Sequence, residues 1–236
     1  MKLIFDLPGR IAMGLLAAMP TVMGGAMARS GDIEVDLVLV LAIDCSASVN
    51  DREFALQTAG LGRAFQHKDV QEAIERGAMK RIAVSVVQWS GNRNQVTAVP
   101  WTVIASGRDA DDFGALVTNS VRGIDPTATS ISSLLSYSER LLDTAPQASR
   151  QVIDVSADGP SNVGPPLNEI RDRLLLKGIT INGLAIQNEW PKLAIYMRNH
   201  VAGGDGHFVI PARDYQNYFE AILIKLVREI TRPGIS

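Results

Sequence analysis

The sequence predicts an α/β domain with a mostly parallel central sheet and helices on both faces. From residue 33 onward, strand-like segments alternate with helix-like segments, and this alternation is typical of a parallel sheet covered by helices. The first of these segments, Val35–Ile43, is an almost unbroken apolar run, which suits a strand buried on both faces. The chain has 236 residues and no repeat or linker after residue 33. We therefore expect one domain over residues 29–236.

The predicted strands are short segments that end at polar or turn-forming residues. In chain order they are Ile33–Ile43, Arg81–Trp89, Gln95–Ile104, Gln151–Ser156, Ile179–Ile186 and His207–Ile210. The third strand contains Pro100, which has no N–H to donate to a neighbouring strand. Because of this proline, we expect the third strand to be bulged or to lie at an edge of the sheet.

The predicted helices lie between these strands, and capping residues mark several of their ends. In chain order they run from Asn50 or Asp51 towards Phe65, then over Val70–Arg76, Asp109–Val121, Ser130–Asp143, Leu167–Lys177, Leu193–Val201 and Tyr215–Ile230. Gly178 is expected to end the fifth helix, and Asp214 to cap the last one. The last helix carries one apolar stripe, which we expect to pack against the sheet. It consists of Phe219, Ile222, Leu223, Leu226 and Ile230.

The first 28 residues have the layout of a secretory signal peptide. Lys2 and Arg10 precede the uncharged apolar stretch Ile11–Met27, and Ala28 completes a small-x-small ending. The alternative is a retained membrane anchor, but Pro20 and the two glycines that follow interrupt the stretch. Cleavage after Ala28 is therefore favoured. The mature protein is expected to be periplasmic or secreted, without a stable membrane span.

Composition excludes several partners and sites. The formal net charge is -2, so the chain lacks the basic surface that nucleic-acid binding needs. Three histidines are too few and too scattered for a convincing zinc site. The single Cys45 cannot form an internal disulfide, and we expect it to behave as a small buried hydrophobic residue.

Three segments supply hard oxygen ligands: two of them follow predicted strands, and the third is a loop that precedes a predicted helix. Asp44, Ser46 and Ser48 follow the first strand, residues 125–130 form a polar loop, and Asp158 follows the strand QVIDVS. Parallel strands bring their carboxyl ends to one edge of the sheet, where α/β proteins bind ligands. Carboxylate and hydroxyl oxygens suit Mg²⁺. The alternative is that the hydroxyls cap helices and that Asp158 belongs to a turn, but their joint occurrence favours a cation site.

The segments DLVLVLAIDCSASV, ATSISSLL and VIDVSADG resemble the three motifs of von Willebrand factor type A domains. The resemblance covers about residues 33–232 and extends to a group of exported bacterial proteins of unassigned function. It implies a Rossmann-like three-layer sandwich with a metal-ion-dependent adhesion site (MIDAS), where an acidic residue of a partner completes the coordination of a cation. Carried over by motif, the metal ligands would be Asp44, Ser46, Ser48, Thr129 and Asp158.

The second motif departs from the family pattern. Ala128 stands where the family usually has glycine, and glycine tolerates a positive φ that alanine adopts only at a cost. Thr127 therefore competes with Thr129 as the ligand. Thr129 is preferred because Ile131 and Leu134 then fall at the core positions of the family's helix.

Three functions remain open at this point. The leading hypothesis is an exported, non-enzymatic adhesion-type module that uses a divalent cation, Mg²⁺ or alternatively Mn²⁺ or Ca²⁺, to recognise a protein carboxylate. The second is a phosphatase-like hydrolase with Asp44 as nucleophile. Ser46 argues against this hypothesis, because it occupies the position where such enzymes have a second aspartate. The third is a metal-free interaction domain.

Overall fold

The computed structural model describes residues 33–231, and its centre is a six-stranded sheet in the order β4-β3-β2-β6-β7-β8. Neighbouring strands are parallel except for β3 and β4, which are antiparallel. A separate parallel pair joins β1 to β5. The strands are β1 Glu34–Val35, β2 Leu37–Asp44, β3 Ile82–Trp89, β4 Gln95–Ile104, β5 Gln147–Ala148, β6 Gln151–Ala157, β7 Thr180–Ile186 and β8 Val209–Ala212.

Helices cover both faces of this sheet, so the predicted fold class is confirmed. The helices are α1 Asp51–Phe65, α2 Lys68–Glu75, α3 Gly107–Thr118, α4 Ile131–Leu142, α5 Leu167–Leu176, α6 Leu193–Tyr196 and α7 Tyr218–Thr231. A π-helical turn, Met197–Val201, continues α6, and a 3₁₀ turn, Tyr215–Asn217, precedes α7. The α1, α2, α3 and α7 helices pack on one face, and α4, α5 and α6 pack on the other.

Strand β2 lies at the centre of the sheet and is buried on both faces, as the apolar run predicts. Its side chains alternate between the two cores because successive residues of a strand point to opposite faces. Leu37, Leu39, Leu41 and Ile43 enter the core under α1 and α7, and Val38, Val40 and Ala42 enter the core under α4. Asp44 therefore reaches the carboxyl end of the sheet on a fully buried strand.

The predicted continuous strand Ile33–Ile43 is wrong in one respect, because the chain leaves the strand conformation at Asp36. The Asp36 carboxylate accepts the backbone N–H of Met79 at 2.9 Å and that of Arg81 at 3.4 Å. These bonds tie the residue to the turn before β3. The two residues before it form β1, which pairs with β5 and not with the main sheet.

Local capping explains most of the observed helix boundaries. Asn50 and Glu53 form a reciprocal capping box at the start of α1. The hydroxyl of Ser106 accepts the N–H of Asp109, so α3 begins two residues earlier than predicted. Asp214 caps the turn before α7 by accepting the N–H groups of Gln216 and Asn217, as predicted.

The buried face of α7 differs from the predicted apolar stripe. Ile222, Leu226 and Ile230 are buried, whereas Phe219 and Leu223 are only partly buried. Two charged residues, Lys225 and Glu229, share the buried face instead. Hydrophobic periodicity alone therefore gave the orientation of the helix but missed an ionic cluster beneath it.

The predicted signal peptide, residues 1–28, lies outside the described residues. Over residues 33–231, no helix has both the length and the apolar character needed to cross a bilayer.

Candidate metal centre

Asp44 presents a buried carboxylate oxygen that no donor of the described residues reaches. Its side chain is 0% exposed. Oδ1 accepts the Ser46 N–H at 2.8 Å, and the Gln57 side chain donates to the Asp44 carbonyl at 3.0 Å. Oδ2 is buried and has no partner among the described residues. A buried carboxylate oxygen without a partner is costly, so this atom is a candidate position for a cation ligand.

A chain of contacts connects four of the five predicted ligands. The Ser46 and Ser48 hydroxyl oxygens lie 3.2 Å apart, and Ser48 donates to Asp158 Oδ1 at 2.8 Å. Tyr215 donates its hydroxyl to Asp158 Oδ2 at 3.0 Å. The ends of β2 and β6 thus bring Asp44, both serines and Asp158 together.

The loop that carries Thr129 lies between these two strand ends. The Ala47 N–H donates to the Thr127 carbonyl at 2.7 Å, which joins the loop to the β2 end. Asn162 holds Thr129 from the other side: its side chain accepts the Thr129 N–H at 3.0 Å, and its own N–H donates to the Thr129 carbonyl at 2.9 Å. Thr129 is therefore fixed at the same edge of the sheet and is buried.

The hydroxyl of Thr127 is engaged elsewhere. It lies 2.9 Å from the Ser90 hydroxyl and accepts the Gly91 N–H at 3.0 Å. The Thr129 hydroxyl forms no hydrogen bond within the described part of the chain. Ala128 also requires no left-handed backbone, because the described non-glycine residues with positive φ lie elsewhere. These contacts favour Thr129 over Thr127.

The two carboxylates repel each other across this site. Burial, followed by the charge of Asp158, raises the pKa of Asp44 to about 7, although hydrogen bonds from Ser46 and from the Asp158 backbone oppose the shift. Burial and the charges of both aspartates raise the pKa of Tyr215 far above its ordinary value, so Tyr215 stays a neutral donor. A divalent cation would offset this repulsion and would be coordinated by Asp44 Oδ2.

The donor set fits a hard cation. It consists of two carboxylates and up to three hydroxyls, which are the oxygen ligands that Mg²⁺, Mn²⁺ and Ca²⁺ accept. Over residues 33–231 no group of three or more His, Cys, Asp or Glu side chains is arranged to hold a metal.

Cys45 is buried on the other side of the strand end, and burial, together with the Asp44 charge, raises the pKa of its thiol to about 12. Its predicted behaviour as a buried hydrophobic residue is confirmed.

Two contacts of the site escaped sequence reasoning. Tyr215, which orients Asp158, follows the capping residue Asp214 and looks like the first residue of a helix. Gln57, which holds the Asp44 carbonyl, is 0% exposed on the apolar face of α1. A glutamine between Phe54 and Leu61 on a helical spacing was the available signal for a buried polar contact.

Comparison with known proteins gives one family and a set of similar structures. The family model described as "Protein of unknown function (DUF1194)" matches residues 34–234. None of the curated proteins with which the chain was compared is similar to it.

The similar solved structures share low sequence identity. Proximal thread matrix protein 1 from the mussel byssus, solved with a zinc-occupied MIDAS motif, aligns with a TM-score of 0.57 and 18% identity over 85% of this chain and 48% of its own. A von Willebrand factor type A protein from Catenulispora acidiphila aligns at 0.56 and 17%, over 84% and 42%. The von Willebrand factor domain of the type V pili tip protein Mfa5 from Porphyromonas gingivalis aligns at 0.54 and 12%, over 86% and 99%. The chain thus spans about half the length of the mussel protein and nearly all of the Mfa5 domain.

Proposed function

The chain belongs to the family described as a protein of unknown function (DUF1194) and has the fold of a von Willebrand factor type A domain, and on this premise we propose that it is a cation-dependent protein-binding module. The observation that carries the proposal is the buried Asp44 Oδ2, which has no hydrogen-bond donor among residues 33–231 and lies in a site that Asp158 also charges. The residues that would hold the cation, directly or through water, are Asp44, Ser46, Ser48, Thr129 and Asp158.

The cation, when bound, supplies positive charge and a coordination position for an oxygen from outside the chain. Ser48 is exposed, whereas Asp44 and Asp158 are buried, so the site opens to solvent on the Ser48 side. A partner would reach it there with a carboxylate. Tyr215 and Asn162 position the ligand groups, since each is hydrogen-bonded to a proposed ligand residue.

Mg²⁺ is the proposed cation because all the donors are hard oxygens, with Mn²⁺ and Ca²⁺ as alternatives. Zn²⁺ belongs in the same test, since zinc occupies the MIDAS motif of the mussel protein. Export is part of the proposal and depends on the predicted signal peptide, residues 1–28. The mature domain would then comprise residues 29–236 in the periplasm or outside the cell.

A metal-free interaction domain is the second candidate. The observation in its favour is the Ser48–Asp158 hydrogen bond of 2.8 Å, which satisfies one carboxylate oxygen without a cation. It leaves Asp44 Oδ2 unexplained. A nucleophilic Asp44 has less support, because Oδ1 is bonded to the Ser46 N–H and the side chain is 0% exposed.

Binding to paired peptides tests the proposed function. Surface-immobilised acidic peptides, each matched with a copy whose Asp and Glu are replaced by Asn and Gln, are offered to residues 29–236 in Mg²⁺, Mn²⁺ or Zn²⁺ and again in EDTA. We expect binding that needs both the carboxylate and the cation. Binding that survives EDTA would support the metal-free domain, and equal binding of acid and amide copies would contradict the proposed recognition.

Two threonine variants test the choice of ligand. Thr129→Val is expected to weaken cation binding at least tenfold, because it removes a hydroxyl that has no other partner in the described structure. Thr127→Val removes a hydroxyl bonded to Ser90 and Gly91, so it should lower stability by about 1 kcal/mol and leave cation affinity within about twofold. Calorimetric titration gives the affinities and urea unfolding gives the stabilities. The opposite pattern would assign the ligand to Thr127.

A further inference from the structure

Three ionisable side chains meet in the core between β6 and α7, away from the proposed metal centre. Asp154, Lys225 and Glu229 are each 0–1% exposed. The Lys225 ammonium lies 2.7 Å from Asp154 Oδ2 and 2.5 Å from Glu229 Oε1. Both carboxylates therefore form ion pairs with the same nitrogen, which donates a hydrogen bond to Glu229, and they lie next to each other.

Asn182 fixes one of these carboxylates. It sits opposite Asp154 in the β6–β7 register. Its side-chain amide donates to Glu229 Oε1 at 2.8 Å, while its oxygen accepts the Phe208 N–H at 2.9 Å. Of the two carboxylates in the cluster, Asn182 therefore donates a hydrogen bond to Glu229 and not to Asp154. Asp154 Oδ1 and Glu229 Oε2 remain buried without a hydrogen-bond partner in the described part of the chain.

The elements packed around the cluster bring few other charges to it. From β2, Leu41 stands beside Asp154 in register. From α7, Tyr218 hydrogen-bonds Ser156, and the Arg228 guanidinium lies over the Phe208 ring at 4.0 Å. The Arg150 guanidinium, just before β6, donates to the backbone carbonyls of Glu229 and Ile230. Within the cluster itself, one ammonium faces two carboxylates.

We infer that Asp154, Lys225 and Glu229 form a buried proton-binding site, in which the folded core holds one proton on the two carboxylates while Lys225 stays charged. A net negative charge buried in the core is costly. One bound proton makes the cluster neutral. The bound proton also allows one carboxyl oxygen to donate a hydrogen bond. Asp154 Oδ1 and Glu229 Oε2 accept no such bond from the described residues.

The proton-binding site makes stability depend on pH. Burial is the main cause that raises the pKa of Asp154 to about 7; the Lys225 charge lowers it and the Glu229 charge raises it. An unfolded aspartate releases its proton near pH 3.8, so between about pH 4 and 7 the folded state binds more protons than the unfolded state. Stability from this site is therefore complete at the acidic end and is lost as pH rises towards 7.

Urea unfolding of the wild type and Asp154→Asn between pH 4.5 and 9, in EDTA, tests this inference. Asparagine imitates the neutral acid. The wild-type unfolding constant divided by that of the variant should rise by up to tenfold per pH unit between about pH 5 and 7 and then level off. Asp44 titrates in both proteins, so its contribution cancels. Ser156→Ala, a change without charge on the same face of β6, is the matched control and should give a pH-independent ratio.

A second measurement covers the case in which Asp154→Asn does not fold. In native wild-type protein labelled with ¹³C at the side-chain carboxyls, the Asp154 resonance should titrate near neutral pH. A pH-independent ratio in the unfolding experiment, or carboxyl resonances that stay in the ionised position from pH 5 to 8, would overturn the inference. Neither measurement depends on the proposed cation-binding function.

Discussion

Replacing Asp44 with Asn is expected to abolish cation binding without destabilising the cation-free protein. The wild type holds two carboxylates close enough for Asp158 to raise the pKa of Asp44, and no donor in the described part of the chain reaches the buried Asp44 Oδ2. Asparagine removes one negative charge and the principal proposed ligand at nearly constant volume. It therefore relieves repulsion in the free protein and removes the site's main attraction for a cation.

The measurement is calorimetric titration with Mg²⁺, Mn²⁺ and Zn²⁺, together with thermal unfolding in each cation and in EDTA. Binding to the folded state alone should stabilise the wild type by about 2.7 kcal/mol at a cation concentration of 100 times Kd, and this gain should vanish in the variant. In EDTA at pH 8, the variant should be at least as stable as the wild type.

Asp125→Asn is the matched control. Asp125 is an exposed carboxylate in the loop that carries Thr129, and its backbone carbonyl, not its side chain, contacts Ser90 and Asn94. Its loss should leave cation affinity within about twofold. Unchanged affinity in Asp44→Asn would place any cation elsewhere. A loss of several kcal/mol in EDTA would instead make Asp44 a structural residue whose charge the fold requires.

The features that sequence reasoning predicted are those that local chemistry decides. The apolar run before Asp44 and the caps at Asn50 and Asp214 depend on neighbours within a few residues, and the structure confirms them. The break at Asp36 depends on N–H groups of residues 79 and 81. No local pattern reports such a distant donor.

The same limit applies to the candidate site. Motif order could place Asp44, Ser48 and Asp158 at one sheet edge, because parallel strands align their ends. The choice between Thr127 and Thr129 depends on the contact of Thr127 with Ser90 and Gly91, which belong to another strand end.

Replacing Lys225 with Met is expected to destabilise the protein more than most single substitutions. The variant leaves Asp154 and Glu229 in the core without the ammonium that bonds both. Removing one partner of a buried ionic group costs about 3–5 kcal/mol, a large part of the 5–15 kcal/mol that is typical of a folded domain. The loss should be larger at pH 8 than at pH 5, because Asp154, whose pKa burial raises to about 7, is more fully ionised at pH 8. Urea unfolding at the two pH values measures both effects.

Lys177→Met is the matched control, since it makes the same substitution at an exposed ion pair. The Lys177 ammonium lies 2.7 Å from Glu139 Oε1, but its side chain is 51% exposed. Solvent screens this pair, and Arg173 also bonds the same glutamate, so the cost should be below about 1 kcal/mol. Similar losses in the two variants would show that burial does not determine the energetics of the Lys225 cluster.

Removing the whole cluster should restore stability. In the triple variant Asp154→Leu, Lys225→Met, Glu229→Gln, no charge remains buried, and the glutamine can still accept the Asn182 amide proton that Glu229 accepts now. Replacing buried ionic groups by apolar residues is often neutral or stabilising. The triple variant should therefore be at least about 2 kcal/mol more stable than Lys225→Met alone, with little pH dependence from this site. If the three substitutions simply added their separate costs, the damage in Lys225→Met would come from lost packing and not from two carboxylates left without their counter-ion.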